Sequence, residues 1–131
     1  MKPADTYVAG KAIADELAPG LEEALAKRYD TLVPGLSETV VNVPWGHFYA
    51  REGALDLKTR LLATVAALAV QGGQTAPQLK IIVASARQAG ASREEIAEVI
   101  FHMAIYGGFP AMFNAMSTAM DVFEAEEAQA Q

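Results

Sequence analysis

His102 is the side chain in this 131-residue chain that is best suited to move a proton near neutral pH. It is one of two histidines, and apolar residues flank it in a segment with helical spacing. Tyr106 follows one helical turn later on the same helix face, where its hydroxyl can orient the imidazole or donate to an oxyanion. We therefore take His102 and Tyr106 as candidate catalytic residues. The alternative is a core histidine bonded to a carbonyl or to a neighbouring subunit, beside a packed tyrosine.

Upstream cationic and aromatic residues are candidates for binding a substrate. Arg60 lies near the start of a predicted helix, and its guanidinium can hold a carboxylate through two parallel hydrogen bonds. An aromatic-rich segment contains Trp45, His47 and Arg51, and it suits a pocket for a small unsaturated acid. Simpler roles stay open for both features: a salt bridge from Arg60 to a nearby carboxylate, and a hydrophobic plug built from the aromatic segment.

Several kinds of site are excluded by the residue types of the chain. It has no cysteine, so it offers no thiolate for peroxidase chemistry. The two histidines stand 55 positions apart with no paired carboxylates beside them, so we expect no metal site and no cofactor. We interpret Glu94, Glu95 and Glu98 as the solvated face of a helix.

Charge and hydropathy narrow the choice of partners. The net charge is −6 and the ten basic residues are scattered, which excludes a nucleic-acid surface. Polar residues, glycine or proline interrupt every apolar run within about 12 residues, so no membrane span is expected. A hydrophobic content of 52% is high for a small domain and predicts a homo-oligomer. Without an apolar leader at the start of the sequence, we expect a cytoplasmic protein.

Periodicity and turn signals predict an all-α fold in one domain over residues 1–131. Capping boxes are expected at Thr75 and Ser92, and glycine pairs close two of the helices. Residues 36–44 are rich in β-branched side chains without a partner strand, so we predict an extended connector there. A short helix or turn follows over residues 45–51, and the polar tail after Glu124 is expected to fray. The predicted helices cover residues 4–18, 21–32, 57–71, 75–89, 92–106 and 110–124.

Three blocks of sequence resemble the carboxymuconolactone decarboxylase family. The first is Leu-Asp-x-Lys-Thr-Arg within residues 51–61, and the second is Ser-x-Glu-Glu-Ile-x-Glu-Val within residues 88–99. The third is His-x-Ala-x-Tyr-x-Gly-x-Pro over residues 102–110. The spacings between the blocks agree with the family as well as the residues do, and the resemblance covers about residues 45–123.

This resemblance implies an alkylhydroperoxidase D-like helical bundle, a fold that commonly assembles into trimers or hexamers. It also implies cofactor-independent decarboxylation, or related lyase chemistry, on a small carboxylated lactone. In such a reaction the unsaturated lactone is the electron sink. His102 would then donate the proton and Arg60 would anchor a carboxylate.

The chain departs from the related thiol peroxidase branch at all four of its functional positions. The two cysteines of that branch would fall at Thr75 and Gln78, its histidine at Ile82 and its glutamate near Leu61. Because none of these residues can supply the thiolate, the resemblance does not extend to thiol peroxidase activity. Many decarboxylase members also carry the histidine and the glutamate.

Two hypotheses about function follow. One is a decarboxylase-like enzyme, and the other is a non-catalytic binding or structural member that keeps the oligomeric fold. Convergence of His102 and Arg60 on one solvent-reachable cavity would favour the enzyme. Burial of His102 with all its hydrogen-bond partners satisfied would favour the second hypothesis.

Overall fold

The computed structural model describes residues 3–130, and this range contains helices and turns but no strand, which confirms the all-α prediction. The chain forms two compact units, the first ending at Leu57 and the second beginning at Lys58. The elements are α1 (Pro3–Leu17), α2 (Leu21–Tyr29), α3 (Leu36–Val40), a π-helix (Val41–Tyr49), α4 (Leu57–Gln71), a 3-10 turn (Gly73–Thr75), α5 (Ala76–Gln88), α6 (Arg93–His102), α7 (Ala104–Gly107) and α8 (Phe109–Ala130).

In the first unit, α1 and the π-helix approach each other through glycine. Gly10 of α1 and Gly46 of the π-helix are both buried. A Cβ on Gly46 would overlap the carbonyl oxygen of Thr6, and one on Gly10 would overlap that of Val41. The two backbones are therefore in direct contact, and only glycine leaves room for that approach.

The prediction of an extended connector over residues 36–44 is wrong. This stretch forms α3 and then enters the π-helix, so its β-branched side chains sit in helical backbone. Strand propensity is context-dependent, and here the packing against α1 overrides it. Pro44 lies inside the π-helix and has no N–H, so a regular α-helical ladder is interrupted at that point.

Polar contacts hold the first three helices together. The Tyr7 hydroxyl donates to the Glu22 carboxylate at 2.8 Å, and Lys11 pairs with the same carboxylate at 2.9 Å. Beyond α2, the Ser37 hydroxyl donates to Asp30 at 2.6 Å and the Ser37 backbone N–H donates at 3.0 Å. These two bonds lower the pKa of the Asp30 carboxyl. They also join the end of α2 to α3, and α2 ends at Tyr29, before the predicted residue 32.

The second unit is a set of amphipathic helices around a shared core. In this unit, α5, α6 and α7 contact α8, and α4 buries one side chain per turn. The spacing of three and four residues between buried positions is that of an amphipathic helix. The buried apolar side chains of this unit are Leu61, Val65, Ala69, Leu79, Ile82, Val83, Ala86, Ala91, Ile96, Ile100, Met112, Ala115, Ala119, Val122 and Phe123.

Of the two predicted capping boxes, one forms. Ser92 accepts a hydrogen bond from the Glu95 backbone N–H, and its own N–H donates to the Glu95 carboxylate, both at 2.9 Å. The box predicted at Thr75 is wrong. The Thr75 hydroxyl donates instead to the carbonyl of Leu68 at 2.7 Å and to that of Gly72 at 3.0 Å. It thus satisfies carbonyls at the end of α4 rather than N–H groups of α5.

The helix predicted over residues 92–106 is interrupted at Met103. α6 ends at His102 and the single turn of α7 follows. Gly108 then adopts a φ of 90°, a backbone conformation that favours glycine, and α8 begins at the next residue. His102 and Tyr106 consequently belong to two successive short elements.

The prediction of a frayed tail after Glu124 is wrong, because α8 continues to Ala130. Arg87 of α5 donates to Glu126 at 3.1 Å, and Arg93 of α6 donates to Glu127 at 2.6 Å. The Arg93 guanidinium also lies over the Phe123 ring, 5.5 Å from its centroid. These contacts from two helices hold the last turns of α8 in place.

Candidate functional site

His102 is exposed at the end of α6 and lines two cavities of the second unit. The larger has a volume of about 560 Å³ and lies between α4 and α6. The smaller, of about 340 Å³, lies between α6, α7 and the start of α8. The larger cavity is lined by Thr59, Leu62, Ala63, Ala66, Glu98, Val99, His102 and Met103.

Two contacts hold α4 alongside α6 and α7 and so define this groove. At one end, the Lys58 ammonium pairs with the Glu95 carboxylate at 3.0 Å. At the other end, Gly107 lies so close to α4 that a Cβ there would stand 3.0 Å from the Cα of Val70. The start of α4 thus meets the start of α6, and the end of α4 meets α7. The helices run side by side in the same direction.

The groove is apolar over most of its wall, with polar groups at a few points. Ala63 and Ala66 face it from α4, and their small side chains leave the space unfilled. Glu98 and His102 supply a carboxylate and an imidazole from α6. The volume lies within the usual range for small-molecule sites, roughly 300–1,000 Å³, and the mixture of apolar wall and few polar groups is typical of them.

Glu98 is a candidate functional residue that the sequence analysis missed. We interpreted it as part of a solvated face, yet it lines both cavities together with His102. The two residues stand one helical turn apart, so their side chains share a face of α6. That i, i+4 spacing from the only histidine of the helix was the available signal in the sequence.

Tyr106 lies next to His102, as its spacing predicts. The two rings have an edge-to-face arrangement with their centroids 6.3 Å apart, and Tyr106 is exposed. The two rings thus approach each other edge-on, although the helix is broken between them. A catalytic role for either residue stays a prediction.

The predicted binding residues occupy different places. Arg60 is half-buried on α4 and lines neither cavity. Its neighbour Thr59 lines the larger one. In the first unit, Trp45 is buried and packs against Tyr49 with a centroid separation of 4.8 Å. His47 and Arg51 are exposed. Substrate contacts for these four residues stay predictions.

The electrostatics at the start of α6 come from the capping box and the bridge to α4. The hydrogen bond from the Ser92 backbone N–H lowers the pKa of Glu95 from its ordinary value of 4.5, and Lys58 lowers it further. Among residues 3–130, no three His, Asp or Glu side chains are grouped so that they could bind a metal ion. No helix in the same range is long and apolar enough to cross a membrane.

The profile of the carboxymuconolactone decarboxylase family matches residues 34–121 of the sequence. The chain belongs to this family. A curated relative from Paracoccus denitrificans is 41% identical over 118 residues, which is 90% of this chain and 87% of the relative. That relative is described as an uncharacterised 15.0 kDa protein in the nqo9–nqo10 intergenic region.

A second family member similar to this chain is the 4-carboxymuconolactone decarboxylase of Acinetobacter baylyi. It is 34% identical over 80 residues, which cover 61% of this chain and 58% of the relative. The family match includes the whole of α4, α5 and α6 and therefore the groove that contains His102.

Three of the four positions where a peroxidase-type member of the family would carry its reactive groups are buried in this chain. Leu61 and Ile82 are buried among the apolar core of the second unit. Thr75 is buried, with its hydroxyl bonded to backbone carbonyls, and Gln78 is exposed. None of these four residues lines the larger cavity beside His102.

Proposed function

We propose that this chain is a decarboxylase-like enzyme that acts without a cofactor on a small carboxylated lactone, with His102 as the proton donor. The observation that carries the proposal is the position of His102, exposed at a groove with an apolar wall and a volume suited to a small molecule. Family membership and the similarity to a named decarboxylase support the reaction class.

Decarboxylation of such a lactone requires an electron sink, which the lactone itself supplies, and a proton donor. The carbon–carbon bond to the departing carboxylate breaks, and its electron pair moves into the unsaturated lactone while CO2 leaves. His102 then gives a proton to the enolate that this electron pair forms on the lactone, and a proton from solvent restores the imidazolium. A positioned general acid of this kind typically contributes about 10²–10⁴-fold in rate.

Other residues have supporting roles in this proposal. Tyr106 holds the imidazole edge-to-face, and Glu98 faces the same groove one turn before His102. Arg60 is proposed as the carboxylate anchor because a guanidinium binds carboxylates in a bidentate manner. It does not line the groove with His102, so in this proposal its side chain reaches the substrate from beside Thr59 at the start of α4. A cytoplasmic location is proposed as well, since a chain without cysteine gains no disulfides from an oxidising compartment.

The test is loss of carboxymuconolactone absorbance with the purified chain and with His102→Ala. Lys80→Ala, an exposed change on α5, is the control. We expect turnover by the wild type and by the control, and a loss of at least about 100-fold in His102→Ala. Undiminished turnover in His102→Ala would remove the histidine from the mechanism. An inactive wild type would count against decarboxylation of this lactone.

A specific observation favours a second candidate, a binding or structural member without catalysis. Leu61 and Ile82 fill core positions where many decarboxylase members carry a glutamate and a histidine. Under this candidate the groove binds a small carboxylate and releases it unchanged. Calorimetry with the lactone separates the two, because binding without turnover is the expected result for the second candidate alone.

A further inference from the structure

Among the described residues that line the two cavities beside His102, Glu98 is the only acidic one. None of these lining residues is a lysine or an arginine. In the proposed function the charge of His102 leaves with the proton that it donates, whereas the charge of Glu98 stays. A ligand in the groove therefore lies beside a lasting negative charge that no lasting positive charge in the wall offsets.

The position of Glu98 along the groove brings it against a bound ligand. Beyond His102 the groove closes, because Gly107 lies against α4 at Val70. Glu98 stands on the other side of His102, one helical turn or about 6 Å nearer the start of α6. A ligand that receives a proton from His102 therefore extends its remaining groups past Glu98.

The carboxylate of Glu98 is not engaged in holding the helices together. The neighbouring Glu95 serves that purpose, since it pairs with Lys58 at 3.0 Å and completes the capping box with Ser92. Within the part of the chain that the structure describes, no lysine or arginine forms an ion pair with Glu98. Its charge is thus available to act on a ligand in the groove.

We propose that Glu98 selects a lactone whose only carboxylate is the one that departs as CO2, with an uncharged polar group beside Glu98. This inference rests on the proposed function, which supplies the lactone, the departing carboxylate and Arg60 as its single anchor. A second carboxylate would lie beside Glu98 without a cation of its own, and like charges placed together oppose binding. A carboxamide or a hydroxyl can instead donate a hydrogen bond to Glu98, and such a bond to a charged acceptor is stronger than one between neutral groups.

The test compares two ligands that differ in one charge. The first is carboxymuconolactone with its ring double bond saturated, which keeps a carboxylate on the ring and a second one on the acetate arm. The second ligand has a carboxamide of nearly equal size in place of the arm carboxylate. Because the saturated ring is no electron sink, neither ligand is decarboxylated, and calorimetry measures the Kd of each.

The two ligands are titrated into the wild type, Glu98→Gln and Glu94→Gln. Glu94→Gln is the matched control, because it removes the same charge from an exposed position of α6 that lines neither cavity. Circular dichroism confirms that both variants are folded.

We expect the wild type to bind the carboxamide at least about tenfold more tightly than the dicarboxylate at low ionic strength. At an effective dielectric constant of about 20, unscreened like charges about 5 Å apart repel each other by more than this factor. Added salt should reduce the preference, because it screens charges at an exposed site. Glu98→Gln should lose the preference through tighter binding of the dicarboxylate, and Glu94→Gln should keep it.

Four results would overturn the proposal: equal binding of the two ligands by the wild type, binding of neither, an unchanged preference in Glu98→Gln, or an equal loss of preference in Glu94→Gln. None of these readouts requires turnover. A chain that decarboxylates carboxymuconolactone without the preference would contradict this inference alone. A chain that shows the preference without turnover would contradict the decarboxylase assignment alone.

Discussion

The two units of this chain bring helices together in opposite ways. In the first unit, α1 and the π-helix meet through Gly10 and Gly46 with their backbones in contact. In the second unit, an ion pair joins the start of α4 to α6 and Gly107 of α7 lies against the end of α4, and the space between α4 and α6 is a groove of about 560 Å³. Contact through glycine leaves no room for a ligand. The candidate chemistry therefore lies where small side chains line a gap between helices, and the glycine contact serves stability.

The largest effect is expected from breaking the glycine contact. In Gly46→Ala the new Cβ would overlap the backbone of α1 at Thr6, so the helices must separate. We expect a loss of about 3 kcal/mol in the free energy of unfolding, at the upper end for overpacked sites, measured by urea denaturation.

A matched change at Gly20 separates overlap from backbone strain. Gly20 has a φ of 81° and open space around it, so Gly20→Ala introduces strain without a collision. Its expected cost is about 1–2 kcal/mol, the penalty of a left-handed conformation for a residue with a Cβ. A loss in Gly46→Ala no greater than that in Gly20→Ala would contradict the proposed backbone contact.

The same contrast explains which elements could be predicted from the sequence. In the second unit, local signals and packing agree: α4 has the predicted bounds of residues 57–71, and the capping box at Ser92 forms as expected. In the first unit, residues 36–44 carry strand-like side chains but fold as helix, because a contact between Gly10 and Gly46, far apart in sequence, determines their conformation. Local propensity contains no information about such a contact.

The candidate site shows the same limit. The positions of His102 and Tyr106 beside each other follow from a spacing of one turn, which the sequence displays directly. The inclusion of Glu98 depends on which face of α6 meets the groove, and that is fixed by Lys58 and Gly107 at the two ends of the α4 contact. An exposed carboxylate on a capped helix looks the same in the sequence whether it faces solvent or a cavity.

A larger side chain in the groove should close the space between α4 and α6, as the glycine contact closes the space between helices in the first unit. Ala66→Leu extends a side chain into the space between α4 and α6. If this groove is the substrate site, kcat/KM for carboxymuconolactone should fall by at least about tenfold, the effect of a few misplaced methylene groups in a pocket. The neighbouring Ala67 is exposed, so Ala67→Leu adds the same side chain outside the groove and should leave kcat/KM unchanged. Equal effects of the two changes would place the substrate elsewhere.

The smallest effect is expected at the ion pair that joins the starts of α4 and α6. Glu95→Gln keeps a side-chain oxygen that can accept from the Ser92 N–H but removes the charge paired with Lys58. Because the pair is partly exposed, its contribution is modest and weakens with salt. We expect the melting temperature at pH 7 to fall slightly, and Glu94→Gln, which changes an exposed neighbour, to serve as the control.

The lowered pKa of Glu95 predicts how the difference in melting temperature between the wild type and Glu95→Gln changes with pH. The Ser92 N–H and Lys58 lower the folded-state pKa of Glu95 below its ordinary value of 4.5. A carboxyl of this kind stabilises the fold at pH values above 4.5, and its contribution is lost as the pH falls through the lowered pKa. The difference in melting temperature between the wild type and Glu95→Gln should therefore be present at neutral pH and shrink in acid. A difference that stays constant into acid would mean that the Glu95 charge does not help to hold α4 against α6.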